Sequence, residues 1–240
     1  MNDIGFWIAD SPTIDVAMPQ ITINDIVSPF GSYIDSNGFL NNVETTITIN
    51  SKPLWSIKKT ASQLIDELSN KFLSVDGIYK KYQDTLFPDR YAFAICTEIS
   101  EVTISTFTVS AKVTFSRKGY WLTLSGAIPI NGTITEKRAN ISLNNESSLI
   151  AYPKITISAE AGTSINLYNT KSSIEVRIKF SSAYTTCIID SENSTVTNAQ
   201  GSRFIDVSFN YFPEIIPGAS SFTVSGKVTA FSIIPNWRCL

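Results

Sequence analysis

Strict alternation of apolar and polar residues is the dominant pattern along this chain. From Val109 to Phe115 every odd position is apolar and every even position is polar. Successive side chains of a strand point to opposite faces, so such a segment has one buried face and one solvated face. The alternation recurs in segments 43–49, 153–158, 174–180, 205–209 and 222–228. Half-buried strands are typical of antiparallel sheets in sandwiches or barrels, so the pattern predicts a mainly β protein.

One segment has helical spacing instead. Apolar residues recur at steps of three and four from Ile57 onward, which places them on one face of a helix. Thr60 and Gln63 have the spacing of a capping box. We therefore expect one helix over about residues 58–74. Its predicted core face consists of Ala61, Leu64, Ile65, Leu68 and Phe72.

Three residue pairs predict turns. Asn37-Gly38 and Asn131-Gly132 suit tight hairpin turns, because both residue types tolerate a positive φ. Pro217-Gly218 suits a type II turn, in which proline comes first and glycine second.

The length of the chain fits two domains. Its 240 residues divide into two ordinary domains of about 120 residues each. The best boundary lies between Phe115, where an alternating strand ends, and Asn131. We expect an antiparallel β domain with one helix over 1–120 and a purely β domain over 121–240.

Composition and charge argue against several classes of function. Hydrophobic residues make up 43 % and charged residues 17 % of the chain, which is ordinary for a folded protein. A formal charge of −2 does not suggest a protein that holds DNA or anionic lipid. The apolar runs are shorter than the roughly 18 residues of a membrane span, and the N-terminus does not resemble a secretory signal. We expect synthesis in a cytoplasm.

Candidate catalytic chemistry is sparse. Histidine is absent, which removes the commonest general base and metal ligand, and no phosphate-binding loop, dinucleotide motif or nucleophile elbow occurs. The acids considered as a carboxylate pair are Asp10, Asp15, Asp190 and Glu192. Asp190 and Glu192 fit a solvated turn far better than a catalytic pair or a calcium site. We expect no enzymatic activity, no cofactor and no metal.

Cysteines and tryptophans leave more than one interpretation open. Cys96, Cys187 and Cys239 have no zinc-site spacing, and we expect three buried thiols. The tryptophans are Trp7, Trp55, Trp121 and Trp237. Tryptophan on a β domain fills the core, forms a protein interface or stacks on a sugar, and we favour these uses in that order.

The C-terminal residues resemble those of a known family, the distal tail proteins (Dit) of long-tailed phages. The resemblance rests on an F-P pair, a P-G pair, an alternating strand and a final P-x-W-R. The matching residues are Phe212, Pro213, Pro217, Gly218, Pro235, Trp237 and Arg238. Segments 151–157 and 187–190 are similar to two further strands of the family.

The N-terminal half resembles the same family more loosely. Residues 3–6 are similar to an early D-F-G-like motif, and the expected helix lies where the family has its single helix. Residues 87–94 resemble a D-x-x-Y-x-A strand that follows this helix in the family.

The resemblance implies a structural role in a virion. Members form a ring, expected to be a hexamer, that joins the tail tube to the tail-associated hub protein at the tail tip. Their C-terminal domain is a galectin-like β-sandwich that anchors receptor-binding proteins in some relatives, and DNA only passes through the lumen of the ring. Two alternatives stay open: a carbohydrate-binding module acting through the C-terminal sandwich, and a tail-tube subunit.

Overall fold

The computed structural model describes residues 6–8, 42–73, 77–83, 87–204 and 206–239. It separates into two compact units, one extending to Trp121 and one covering Leu122–Cys239. Asp10, Asp15, the predicted turn Asn37-Gly38 and most of the 3–6 motif lie outside the described residues. The mainly β fold class is confirmed, with antiparallel pairing in every sheet and one main helix.

The first unit is built on one antiparallel sheet. Its strands are β1 (Phe6–Ile8), β2 (Val43–Ser51), β3 (Lys80–Tyr82), β4 (Arg90–Ile104) and β5 (Val109–Arg117). They pair in the order β1-β2-β5-β4, and β3 pairs with β4. On β5 the odd residues from Val109 to Phe115 are all buried, as the alternation predicts. Ile47 and Ile49 of β2 face Val113 and Ala111 across the ladder, so the apolar faces of neighbouring strands coincide.

One main helix covers the apolar face of this sheet. It is α2 (Ala61–Phe72), preceded by a single turn, α1 (Leu54–Ile57). The predicted start at 58 was wrong because Lys58 has a left-handed φ of 53°, which ends the first turn and separates the two helices.

The predicted capping box at the start of α2 is confirmed. The Gln63 amide donates to the Thr60 hydroxyl at 3.2 Å, and the Thr60 amide donates to Gln63 Oε1 at 3.0 Å. Leu64 and Leu68 are fully buried against the sheet. Ala61, Ile65 and Phe72 are partly buried and pack against the same cluster.

The second unit contains two five-stranded antiparallel sheets. The short strand β6 (Trp121–Thr123), at the boundary, and a 3₁₀ turn (Ser125–Ala127) precede these sheets. The first strands of the two sheets are β7 (Ile130–Ile134), β8 (Arg138–Asn145), β9 (Lys154–Ser158), β10 (Ser164–Asn169) and β11 (Glu175–Lys179). The others are β12 (Thr186–Asp190), β13 (Thr195–Asn198), β14 (Val207–Phe209), β15 (Gly218–Ser225) and β16 (Val228–Ile234). The final strand, β17 (Arg238–Cys239), pairs with β6 and lies outside both five-stranded sheets. One sheet has the order β14-β11-β10-β15-β8 and the other β13-β12-β9-β16-β7.

The inner faces of these two sheets share one core. Ile155 and Ile157 of β9 belong to the same buried cluster as Leu167 of β10 and Val176 of β11. Alternate residues of both sheets therefore pack against each other, as in a β-sandwich.

Two turn and strand predictions were wrong in this unit. Asn131-Gly132 lies inside β7, not at a turn. Gly132 faces Phe231 across the ladder, and a Cβ on it would come within 2.7 Å of the Phe231 ring. Glycine is needed there because the ring covers its Cα. The predicted strand 222–228 is divided by Gly226, whose φ of 108° forms the β15–β16 turn.

The helices within the described ranges are too short and too polar to cross a membrane.

Candidate functional site

The candidate acids on the second unit have structural roles. Asp190 closes a turn: its Oδ1 accepts from the Asn193 amide and its Oδ2 from Asn193 Nδ2, both at 3.1 Å. Glu192 forms an ion pair with Arg238, whose side chain is only 10 % exposed. The two carboxyl groups are therefore engaged with different partners. Among the described residues, no group of three or more acids or cysteines could hold a metal ion.

Arg238 connects the end of the chain to the body of the sandwich. Besides Glu192, its guanidinium lies 4.4 Å from the ring centroid of Tyr152, in cation–π geometry. Burial raises the pKa of the Tyr152 phenol, and the positive charge of Arg238 partly offsets this rise. The phenol therefore stays neutral, and Arg238 has a carboxylate and an aromatic face around it.

Trp237, the neighbouring motif residue, is fixed through its backbone. The Thr123 amide donates to the Trp237 carbonyl at 3.0 Å, and the Asn236 amide donates to the Gly126 carbonyl at 2.9 Å. A Cβ on Gly126 would clash with the Trp237 amide nitrogen and lie 2.9 Å from its Cβ. The Trp237 ring is partly buried and packs against the sandwich core, next to the buried Pro235.

The other motif residues form the entry to β15. Phe212 stacks on Phe209 at a centroid distance of 4.7 Å, and Pro213 is buried. Lys171 donates its ammonium to the Pro217 carbonyl. Gly218 has a φ of 88°, which position three of a type II turn requires. The family motif thus marks two packed corners of the sandwich and contributes no exposed chemical group.

Burial raises the pKa of two of the three thiols, those of Cys187 and Cys96. Cys187 is completely buried, which raises the pKa of its thiol to about 12. Burial also raises the pKa of Cys96, while Cys239 is only partly buried, in contrast to the expectation of three buried thiols. None of the three forms a disulfide.

The first unit exposes a group of large apolar side chains that sequence reasoning missed. They lie on α1 and on the hairpin that connects β4 to β5. Trp55 is 74 % exposed, Phe107 62 %, Ile104 59 % and Val102 40 %. We call these four residues the apolar tip.

Hydrogen bonds hold the two parts of the apolar tip together. The Leu54 amide, at the start of α1, donates to the Phe107 carbonyl at 2.8 Å. Within the hairpin the Ser105 hydroxyl lies 2.9 Å from the Thr108 hydroxyl and accepts from the Thr108 amide at 3.0 Å. The backbone of α1, which carries Trp55, is thus joined to the backbone of Phe107 in the hairpin. Exposed apolar clusters commonly mark an interaction surface.

Comparisons with family models, curated proteins and solved structures show what this chain is similar to. Residues 129–234 match a family model described as a phage tail C-terminal domain. No curated protein matches the chain. Among solved structures, the chain is similar to the Dit protein (gp 19.1) of phage SPP1, described as a paradigm of the hub adsorption apparatus in phages that infect Gram-positive bacteria. The TM-score is 0.57 at 10 % identity, over 96 % of this chain and 93 % of that one.

These matches agree with the residues that suggested the family. The family model spans most of the sandwich, including Phe212, Pro213, Pro217 and Gly218. The structural match extends over nearly the whole chain, including the N-terminal half, where the sequence resemblance was loose. Residues 129–234 therefore match a phage tail C-terminal domain and the chain has the fold of the SPP1 Dit protein, which confirms the resemblance found in its sequence.

Proposed function

We propose that this chain is a non-enzymatic distal tail protein that forms a hexameric ring at the phage tail tip. The ring joins the tail tube to the tail-associated hub protein and serves as a platform for further tail or receptor-binding proteins. The fold shared with the SPP1 hub protein over 96 % of the chain is the observation that carries this proposal.

In this proposal the first unit builds the ring and the second provides the galectin-like sandwich. The apolar tip supplies a reason for self-association, because Trp55, Ile104 and Phe107 are all more than half exposed in the single chain. Aromatic residues are enriched at protein interfaces, where one or two of them contribute much of the binding energy. A head-to-tail contact whose rotation closes produces a ring.

Electrostatics are compatible with a ring around a DNA channel. The chain has a formal charge of −2, so a hexamer would carry no excess of positive charge to retain the genome. The expected site of the protein is the virion tail, after synthesis in the host cytoplasm.

Multi-angle light scattering combined with negative-stain imaging tests the proposal. We expect rings of six copies from the purified chain at micromolar concentration. The double variant Trp55→Ser/Phe107→Ser should be monomeric with an unchanged melting temperature, because both side chains are largely exposed. Tyr211→Ser is the matched control, since Tyr211 is 72 % exposed on the second unit, and it should leave the rings intact. A wild-type protein that stays monomeric at high concentration would contradict the proposal.

A further inference from the structure

Strands β13 and β14 are edge strands of the two sandwich sheets, and the chain covers only one of these two edges. The segment after β13 pairs with it: the Asn198 amide donates to the Ser202 carbonyl at 2.8 Å, and the Phe204 amide donates to the Val196 carbonyl at 3.0 Å. Among the described residues, β14 pairs only with β11. Unpaired backbone groups along an edge are a template for another strand.

The pairing of β14 with β11 shows which of its backbone groups point outward. The Lys179 amide donates to the Asp206 carbonyl at 2.9 Å, so these two residues form a pair of the hydrogen-bonded type. Hydrogen-bonded pairs alternate with non-bonded pairs along an antiparallel ladder. Ser208 therefore directs its amide and carbonyl toward β11, whereas Val207 and Phe209 direct theirs to the open side. The amide and carbonyl of both residues are thus available at this edge.

A groove lies beside this edge. Its volume is about 710 Å³, which is within the range of ligand sites. Apolar side chains from both edge strands and from the segments next to them line it: Val196, Phe204, Val207, Phe209 and Phe212. Val207 and Phe209 pack against the sandwich core, yet both are only partly buried. The groove therefore leaves the margin of the core open to solvent between the two edge strands.

The groove also contains one cation. Arg203 is exposed and is the only ionisable side chain among the residues that line the groove. None of the ion pairs within the described ranges includes Arg203. A guanidinium binds a carboxylate through charge-assisted hydrogen bonds, so the charge of this groove complements an acidic ligand.

We propose that this edge and groove bind an extended, acidic segment of another polypeptide, which adds a strand to β14. Residues directly opposite each other on paired strands share a face, so peptide residues opposite Val207 and Phe209 point their side chains into the groove. The same peptide residues exchange backbone hydrogen bonds with Val207 and Phe209. Recognition therefore needs apolar residues at alternate positions, whose own amides bond the edge, together with a carboxylate that reaches Arg203.

A separate partner suits this site better than a second copy of the chain. Two copies joined through β14 about a twofold axis present the same residues to each other, so Arg203 would approach the interface from both sides. Strand β14 has only three residues, and short edge strands limit pairing between copies. The inference goes beyond ring formation, because it uses the second unit alone and none of the apolar tip. It rests on the proposed platform role only for the origin of the partner, another tail protein.

Fluorescence anisotropy with the full chain and short labelled peptides tests the site. The first peptide is acetyl-Glu-Val-Thr-Val-Thr-Glu-amide, and the second has glutamine in place of both glutamates. Two further versions of the first peptide carry N-methyl groups, either on the valine amides or on the threonine amides. We expect saturable, submillimolar binding of the first peptide. Methylation of the valine amides should weaken it about tenfold or more, because the edge hydrogen bonds are lost, and methylation of the threonine amides should change it little.

A pair of variants tests the charge. Arg203→Gln should weaken binding of the acidic peptide about fivefold and leave binding of the glutamine peptide unchanged, because the ion pair contributes only to the former. Lys137→Gln is the matched control. Lys137 is exposed and directly precedes β8, the opposite edge of the same sheet, so its replacement should affect neither peptide.

Absence of saturable binding by the acidic peptide would overturn the proposal. Equal weakening by the two kinds of methylation would do the same, because the groove would then take apolar side chains without strand addition. Equal effects of Arg203→Gln and Lys137→Gln would refute the charge pairing. A Trp55→Ser/Phe107→Ser protein that dimerises and is dissociated by the peptide would identify a second copy as the occupant instead. Otherwise this double variant should bind the peptide as the wild type does, so failure of the ring and failure of the site are separate outcomes.

Discussion

Replacement of Leu68 should most directly weaken the packing of helix α2 on the sheet of the first unit. It is fully buried and lies in one cluster with Ile47, Val113 and Leu64. Leu68→Ala removes three carbon atoms from that cluster, which at about 0.8 kcal/mol per buried methylene costs roughly 2.4 kcal/mol. The remaining cavity adds to this cost, so we expect a loss of about 3–4 kcal/mol in the free energy of unfolding of this unit.

Hydrogen exchange followed by mass spectrometry can locate that loss. A change of 3–4 kcal/mol corresponds to a decrease of about 100- to 1000-fold in protection when exchange requires unfolding of the unit. Peptides covering β5 should show this decrease, and peptides covering β10 should not, because β10 belongs to the other core. Asn70→Ala, at an exposed position of the same helix, is the matched control and should change protection only slightly. Equal effects of Leu68→Ala and Asn70→Ala would refute the assigned role of Leu68.

Three further changes test the second unit. Gly126→Ala should lower the melting temperature of the second unit markedly, because the added Cβ would clash with the backbone of Trp237. Gly162→Ala is the comparison: Gly162 has open space around it, so this variant tests only the strain of its φ of 81°. Glu192→Gln should cost about 2 kcal/mol in urea unfolding, since the poorly exposed Arg238 loses its ionic partner. The raised pKa of Cys187, about 12, means that the native thiol stays protonated while the unfolded one ionises near pH 9. Stability should therefore fall as pH rises from about 9 toward 12, and Cys187→Ala should remove that part of the decline; an identical pH profile in the variant would contradict the burial argument.

Local patterns predicted the regular elements well because their signals are contained in neighbouring residues. The alternation from Val109 to Phe115 corresponds to β5, and the Thr60–Gln63 capping box marks the start of α2. Predictions of secondary structure failed where a residue distant in sequence determines the local conformation. Asn131-Gly132 has a turn sequence, yet Phe231, about a hundred positions later, packs on Gly132 and holds it in a strand.

The apolar tip could not be predicted for a related reason. Val102 and Ile104 alternate with polar residues just as buried strand residues do. Whether such a face is covered depends on what packs over it, and Phe72 of helix α2 packs on Phe115, at the end of β5 that is distant from the hairpin.

The hydrogen bonds between residues 123–126 and 236–237 have an evolutionary consequence. The chain enters and leaves the sandwich at one place, through the Thr123–Trp237 and Gly126–Asn236 pairs. The residues between these pairs form a segment whose two ends are adjacent. Such a segment can be exchanged, enlarged or removed with little change to the residues outside it. Recombination at this junction would let a phage replace the surface presented by its second unit while keeping the sequence that precedes Thr123.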